Sequence, residues 1–245
     1  HVTPDKIHEF KQGSHDFYLR CDDGLKELGW NKDLRPSHYF CIDTHVEYDW
    51  RLRLAKDFDT VSVVHSSGLK LPWERTEGKD LFFIPVGCDL DKHHVGELDK
   101  VYDGCFIGNF HNSLAQPRIE MLDVFFKACP GEIFFGGRTF KYMTEKYAQS
   151  KLVFNRSINA EGGEGANMRC FEAMCSGSCL VTDRVPDLDA LGFVDGVHYV
   201  GYSSGDELRE VVKDLLSNED KRENIAIAGR CEVESKHTYV HRMQA

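Results

Sequence analysis

Short apolar runs alternate with longer amphipathic stretches through most of this chain, and that alternation constrains its fold more than any other feature. "DFYLRC" (Asp16 to Cys21), "HYFCID" (His38 to Asp43), "TVSVVH" (Thr60 to His65) and "LFFIPV" (Leu81 to Val86) are followed by "YDGCFIG" (Tyr102 to Gly108), "EIFFGG", "KLVFNRS", "SCLVTD" and "HYVGYS". Strands separated by helices pack as a parallel sheet with helices on its faces, not as a bundle or a sandwich. Helices are expected at about Tyr48 to Phe58, Pro117 to Ala128, Thr139 to Gln149, Asn167 to Ser176 and Asp206 to Leu216. Terminal helices follow Asn218, and their segment contains an internal glycine, Gly229.

The runs fall into two blocks around "GCDLDKHHVGELDK" (Gly87 to Lys100), a polar stretch without a sustained period that reads as an interdomain connection. The expected division is a short first domain over residues 1–92 and a second domain with terminal helices over 93–245. A chain of 245 residues can bury a core without a metal or disulfide staple.

Forty acidic residues against 30 basic ones leave a formal charge of −10, which argues against a general binder of nucleic acid or anionic membrane but allows a local basic cleft. The nine cysteines are odd in number, form no Cys-x-x-Cys and sit mostly in apolar runs, so reduced core thiols and a cytoplasmic location are expected. No apolar run approaches the ~20 residues of a membrane span. The opening "HVTPDKIHEF" lacks the basic-then-apolar pattern of a signal peptide.

Chemistry concentrates in "EGGEGANMRCFEAMCSGSCLVTD" (Glu161 to Asp183), which follows the strand "KLVFNRS" with a glycine-rich loop, a helix ended by Gly177 and another strand. In a parallel sheet such a turn lies at the carboxyl edge, where ligands bind and where helix N-terminal amides attract phosphate. Met168, Phe171 and Cys175 share a helical stripe expected to face the core, which leaves Arg169 and Glu172 for a cleft. The carboxylate suits sugar hydroxyls and the guanidinium suits a diphosphate. The same spacing also describes an ordinary i, i+3 helix pair, and spacing alone does not choose.

Other signals are weaker. Asp43 and His45 follow a strand in "CIDTH", where they could orient or deprotonate a hydroxyl, or where Asp43 or Thr44 could cap a helix; His65 is a second candidate. "GYSSG" matches the G-x-S-x-G nucleophile elbow at Ser203, with Asp214 and His237 following in triad order, but its Ser-Ser-Gly-Asp run is also a good helix cap. His93 and His94 in the connection are expected to be solvated. His237 and His241 have zinc-compatible i, i+4 spacing on one helix face but lack a metalloprotease glutamate.

Glu164 and Glu172 are separated by seven residues, and "EGANMRCFEAMCSGSCLVTD" resembles the E-x7-E signature of retaining glycosyltransferases with the glycosyltransferase-B fold. More closely, "NRSIN", "FEAMCSGSCLVTDRVPDL", "HYVGYSSGDELREVVKDLL", "IAIAG" and "HTYVHR" resemble the spore-coat, CgeB-like branch of the "glycosyl transferases group 1" families. "YFCIDTH" and "IPVGCDLDKHH" carry the likeness into the first block, so that it spans roughly residues 38 to 242.

The resemblance implies an α/β protein of two Rossmann-like domains facing across a cleft, with a shortened N-terminal domain and C-terminal helices. A nucleoside diphosphate-sugar would bind the second domain, and its sugar would pass to a hydroxyl acceptor with retention. By the same resemblance Gly108, Asn109, Arg118 and Arg169 approach the diphosphate, and Arg138 in "GGRTF" lies near the base. Asn167 and Met168 adjoin the sugar beside Glu164, and Glu172 meets the ribose. Asp43, His45 and Glu164 are the catalytic candidates. Arginines and helix amides can stabilise a diphosphate leaving group, so neither a metal nor another cofactor is expected. A short first domain suits a hydroxyl projecting from a polymer: a glycan, a protein, or hydroxymethylated DNA if Arg51, Arg53 and Lys56 form a basic mouth. A catalytically silent binding subunit, a nucleotide-sugar epimerase and, more remotely, a Ser203 hydrolase remain alternatives.

Overall fold

A computed structural model describes residues 11–22, 30–44, 48–73, 80–93, 96, 98–108, 116–136, 140–157 and 165–244. The chain divides into two units, residues 1–85 with 160–165 and residues 86–159 with 166–245.

The first unit contains β1 (Tyr18–Cys21), β2 (Ser37–Cys41), β3 (Thr60–Val63) and β4 (Asp80–Phe83). They form one parallel sheet in the order β1-β2-β3-β4. Every step runs in the same direction, and right-handed crossovers then deliver their connecting segments to one face. On that face Tyr39, Cys41, Val61 and Val63 pack against Leu52 and Ala55 of α1 (Tyr48–Ala55), with Phe58, Leu71 and Trp73 completing the core. The alternate positions point the other way, where Leu19 and Phe82 are exposed and His38 bridges Thr60 and Ser62 at 2.7 and 2.8 Å.

The second unit opens with α2 (Leu90–His93) and continues as β5 (Tyr102–Phe106), α3 (Gln116–Ala128), β6 (Ile133–Phe135), α4 (Phe140–Ala148), β7 (Ser150–Asn155), α5 (Met168–Cys175) and β8 (Cys179–Asp183). It ends with α6 (Pro186–Ala190), β9 (Val200–Tyr202), α7 (Gly205–Ser217), α8 (Glu219–Lys236) and α9 (Tyr239–Gln244). Its parallel sheet runs β6-β5-β7-β8-β9, so the chain winds outward on one side and then crosses back over β5. That reversal makes a switch point between β5 and β7, the place where open α/β sheets bind ligands at their carboxyl ends. Phe106, Leu152, Phe154, Val181 and Tyr202 from the strands meet Phe125, Leu208 and Val212 from α3 and α7 in the core.

Each expected strand and long helix is present within a few residues of its expected ends. The structure adds α2, α6 and a 3-10 turn at Ser66–Lys70, all too short to print a period on the sequence. The terminal segment breaks at His237, the residue capping α8, so His237 and His241 do not share a helix as their spacing implied. Phe171 and Cys175 are buried as expected, but Met168 is 45% exposed. It is the first residue of α5, ahead of the turn that meets the core. The connection also differs from the expected solvated stretch: His93 is buried, and Cys88 bridges to Thr238. His94 lies outside the described residues. All nine cysteines are free and seven are buried. Among the described residues, no helix is long and apolar enough to cross a membrane.

Candidate active site

The carboxyl edge of the second sheet is organised around Arg169. Asn167 caps α5, its Oδ1 accepting the Arg169 amide at 3.1 Å, which orients the first turn of the helix and places Arg169 over the β5–β7 junction. The Arg169 guanidinium donates to the Ile107 carbonyl from Nε at 3.1 Å and from Nη2 at 2.8 Å, and to Asn155 Oδ1 from Nη1 at 2.6 Å. Its plane lies 4.5 Å from the centre of the Phe106 ring. Gly108 makes room for this arrangement. A Cβ there would sit 2.6 Å from the Phe106 ring and 2.7 Å from Arg169 Nη2.

Two more arginines approach the same edge. Arg118, buried on α3, donates from Nε to the Arg156 carbonyl at 3.3 Å. Burial and the neighbouring Arg169 charge push its pKa down to about 10, against a smaller opposite pull from Asp183. Arg156 follows β7 directly, and its charge also bears on Arg118. The Asp183 carboxylate is engaged at the end of β8, where Oδ1 accepts the Ser157 amide at 2.9 Å and the Thr182 hydroxyl at 3.2 Å. Positive charge is thus concentrated where the topology places a ligand.

Glu172 points elsewhere. It is 7% exposed, and its Oε1 lies 3.5 Å from Nε2 of His93. His93 Nδ1 contacts the Asp89 carbonyl at 2.8 Å, and the Ser176 hydroxyl donates to the His93 carbonyl at 3.2 Å. The Asp89 amide also lies 3.1 Å from Nδ1, which thus sits between a backbone donor and a backbone acceptor of Asp89 while Nε2 faces the Glu172 carboxylate. Burial by itself would lower the His93 pKa, but the Glu172 and Asp89 contacts outweigh it and raise it. Arg169 and Glu172 therefore form no i, i+3 pair: one reaches toward the strand ends and the other toward α2.

The remaining candidates separate. Asp43 belongs to the first unit, where its amide donates to Asp22 Oδ2 at 3.3 Å and its half-exposed carboxylate lies 3.9 Å from Arg51 Nη2. His65 is buried just after β3, and its carbonyl accepts the Gly68 amide at 2.9 Å. Arg51 is also buried, with Nε 2.5 Å from Asp22, so it cannot serve in a basic mouth. Ser203 Oγ accepts from Arg184 at 2.9 Å, while Ser204 caps α7. Asp214 pairs with Lys221 at 2.6 Å, and the His237 ring stacks on Phe193 with centroids 4.5 Å apart, so the formal hydrolase triad is not assembled. His45, Asn109, Arg138 and Glu164 lie outside the described residues. Asp-x-Asp spacings occur at Asp57, Asp89 and Asp187: Asp57 pairs with Lys32 at 3.1 Å and Asp59 with Arg35 at 3.0 Å, Asp89 Oδ1 accepts the Asp91 amide at 3.1 Å beside α2, and Asp187 lies in the first turn of α6.

Sequence reasoning did not single out Asn155 and Arg156. Their signal is present as two polar residues closing the buried run "KLVF", at the carboxyl end of a strand.

Residues 133–245 match the family model described as "Glycosyl transferase-like". The match lies toward the C-terminal end of the chain, from β6 onward. No curated protein matches the chain at a significant level. Among solved structures, Anabaena HepE in complex with UDP and glucose is 15% identical, with a TM-score of 0.65 over 86% of this chain and 70% of its own. Sucrose-phosphate synthase from Thermosynechococcus elongatus is 12% identical, with a TM-score of 0.63 over 84% of this chain and 65% of its own. The pneumococcal O-GlcNAc transferase GtfA, with UDP and GlcNAc, is 16% identical, with a TM-score of 0.54 over 87% of this chain and 51% of its own. These likenesses extend beyond the residues matched by the family model, and the fold is of glycosyltransferase-B type. The chain spans about half to two thirds of the latter two structures.

His237 in the second unit provides a pH test. Burial, reinforced by the Arg242 charge, lowers its pKa to about 4, and Arg242 Nη2 lies 2.9 Å from its Nδ1. The unfolded chain takes up this proton near pH 6.5, whereas the folded chain resists until about pH 4. The contribution is therefore complete above pH 6.5 and is lost as pH falls toward 4, by about 3 kcal/mol. His93, with its raised pKa, works in the opposite sense. Urea unfolding of wild type and His237→Gln across this range separates the two effects: the stability difference should shrink with acid, and a constant difference would contradict the assignment.

Proposed function

We propose that the chain is a glycosyltransferase that binds a nucleoside diphosphate-sugar at the carboxyl edge of its second sheet and passes the sugar to a hydroxyl acceptor with retention. The convergence of Arg169, Arg118 and Arg156 on the β5–β7 switch point carries this reading. Guanidiniums held in place before reaction can stabilise the charge that develops on a departing diphosphate, so transfer needs no metal. The UDP complexes of HepE and GtfA support the donor class. The CgeB-like resemblance assigns ribose recognition to Glu172, whose carboxylate would exchange its His93 contact for the ribose when donor binds. Asp43 and His45 of the first unit are proposed to serve the acceptor. With Arg51 committed to Asp22, a glycan or protein acceptor is favoured over modified DNA.

Ligands that bind only the folded state raise its melting temperature, so a panel of UDP, GDP, ADP and TDP with their sugars should identify the donor by thermal shift. The best labelled donor should then transfer sugar to a polymer in the presence of chelator. Release of free sugar alone, epimerisation or no reaction would defeat the transferase reading; loss with chelator and recovery with Mg²⁺ or Mn²⁺ would defeat metal independence. Glu172→Gln should weaken donor binding by about 1–3 kcal/mol, the cost of a charged hydrogen bond. Unchanged affinity in a folded variant would remove Glu172 from the donor site.

A further inference from the structure

Asn155 closes β7 and is completely buried, yet its whole side-chain amide is engaged. Nδ2 donates to Thr182 Oγ1 at 2.9 Å and lies 3.3 Å from Cys170 Sγ. Oδ1 accepts from Arg169 Nη1 at 2.6 Å and from Asn167 Nδ2 at 3.0 Å. The orientation follows from the partners. Arg169 has only donors, and Asn167 presents its Nδ2 because its Oδ1 already accepts the Arg169 amide.

We propose that Asn155 is a positioning residue that aims Arg169 at an anionic ligand while leaving the guanidinium charge available. This deepens the diphosphate reading above and rests on it for the identity of the ligand. The partners of Arg169 are neutral: the Ile107 carbonyl and the Asn155 amide accept from it, and the Tyr147 hydroxyl also hydrogen-bonds to it. The nearby carboxylate is kept back by a relay: Asp183 accepts from Thr182, Thr182 accepts from Asn155, and Asn155 accepts from Arg169. A carboxylate in the Asn155 position could still accept from Arg169 and Asn167, although it could no longer donate to Thr182. It would also bring a full negative charge against Arg169, in direct competition with the incoming anion. The amide supplies the orientation without that competition. A purely structural tie between β7, β8 and α5 would have no such dependence on charge.

The test uses inorganic pyrophosphate and UDP as calorimetric probes on the whole chain. Asn155→Asp, which also gives up the donor to Thr182 and so melts lower than wild type, should lose at least tenfold in affinity for both anions when measured below its melting temperature. If that variant does not fold, Asn155→Ser, which removes the contact without adding charge, is measured alone and with Arg169→Gln. It should weaken pyrophosphate binding in the wild-type background and have no further effect once Arg169 is gone, because coupled residues are not additive. Wild-type affinity in a folded Asn155→Asp protein, an Asn155→Ser effect undiminished in the Arg169→Gln background, or a wild-type chain that binds no pyrophosphate would each overturn the proposal. If pyrophosphate binds in this Asn155-dependent way but no nucleoside diphosphate or nucleotide sugar does, the positioning role stands and the donor reading fails.

Discussion

Replacing Arg169 by alanine is expected to lower sugar transfer by about 10²-fold or more, the loss typical of removing one preorganised donor to developing charge. The Arg169 guanidinium is already fixed by the Ile107 carbonyl, the Asn155 amide and the face of Phe106, so little reorganisation accompanies ligand binding. Arg169→Lys should recover only part of the activity, because an ammonium cannot reproduce the planar, forked contacts. Measuring turnover under saturating donor, beside a melting curve for each variant, separates chemistry from folding. A folded Arg169→Ala protein with turnover close to wild type would show that leaving-group stabilisation lies elsewhere. Arg118→Ala provides the companion measurement. Since Arg118 is buried next to the Arg169 charge, its removal relieves a repulsion as well as withdrawing a cation. A smaller loss than that of Arg169→Ala is therefore expected.

Gly229→Ala is expected to destabilise the protein by about 3 kcal/mol, near the upper end for forcing extra volume into a packed site. Helix propensity predicts the opposite sign, since alanine is favoured over glycine in a helix interior by about 1 kcal/mol. The reason for the reversal is a close approach. A Cβ on Gly229 would collide with the backbone carbonyl oxygen of His198 and meet the Met174 sulfur at 3.1 Å. A flexible side chain could swing away, but His198 is tied by its own amide to the Val194 carbonyl at 3.0 Å, so the collision falls on restrained backbone. Urea unfolding gives the answer directly. Stabilisation in Gly229→Ala would mean that α8 packs less closely on this turn.

Much of the fold was legible in the chain because its signals are local. A buried parallel strand must be a short apolar run, and a helix that covers it must carry an apolar stripe, whatever the rest of the molecule does. The α5 boundaries were legible for the same reason. Asn167 supplies a cap, and Gly177 takes the left-handed conformation, φ +74°, that ends the helix cleanly. The Ser-Ser-Gly-Asp run could be recognised as a helix cap because the capping contact, from the Glu207 amide to Ser204 Oγ at 3.2 Å, spans only three residues.

The candidate site was legible in part. Arg169 and Arg118 were found from motif and resemblance, and the strand-loop-helix turn located the carboxyl edge. What the sequence did not disclose was each side chain's partner. Glu172 and Arg169 are one helical turn apart and could have paired; instead Glu172 meets His93, 79 positions earlier in the chain, and Arg169 meets Ile107 and Asn155. His93 looked solvated because its neighbours in sequence are polar, and Arg51 looked like surface charge because it lies beside Arg53. Contacts with distant segments buried both.

By itself, then, the sequence determined the strand and helix order, the helix caps and the place where a loop leaves a sheet. These depend on conformational preference and periodicity over a few residues, which no distant contact has to supply. Only the tertiary structure decided the strand order that makes a switch point between β5 and β7, the neutral partners that leave the Arg169 charge available, and the carbonyl that forbids a side chain at Gly229. Those properties arise when segments far apart in the chain are packed to within a few ångströms, where burial and geometry, rather than residue type, set what a group can do.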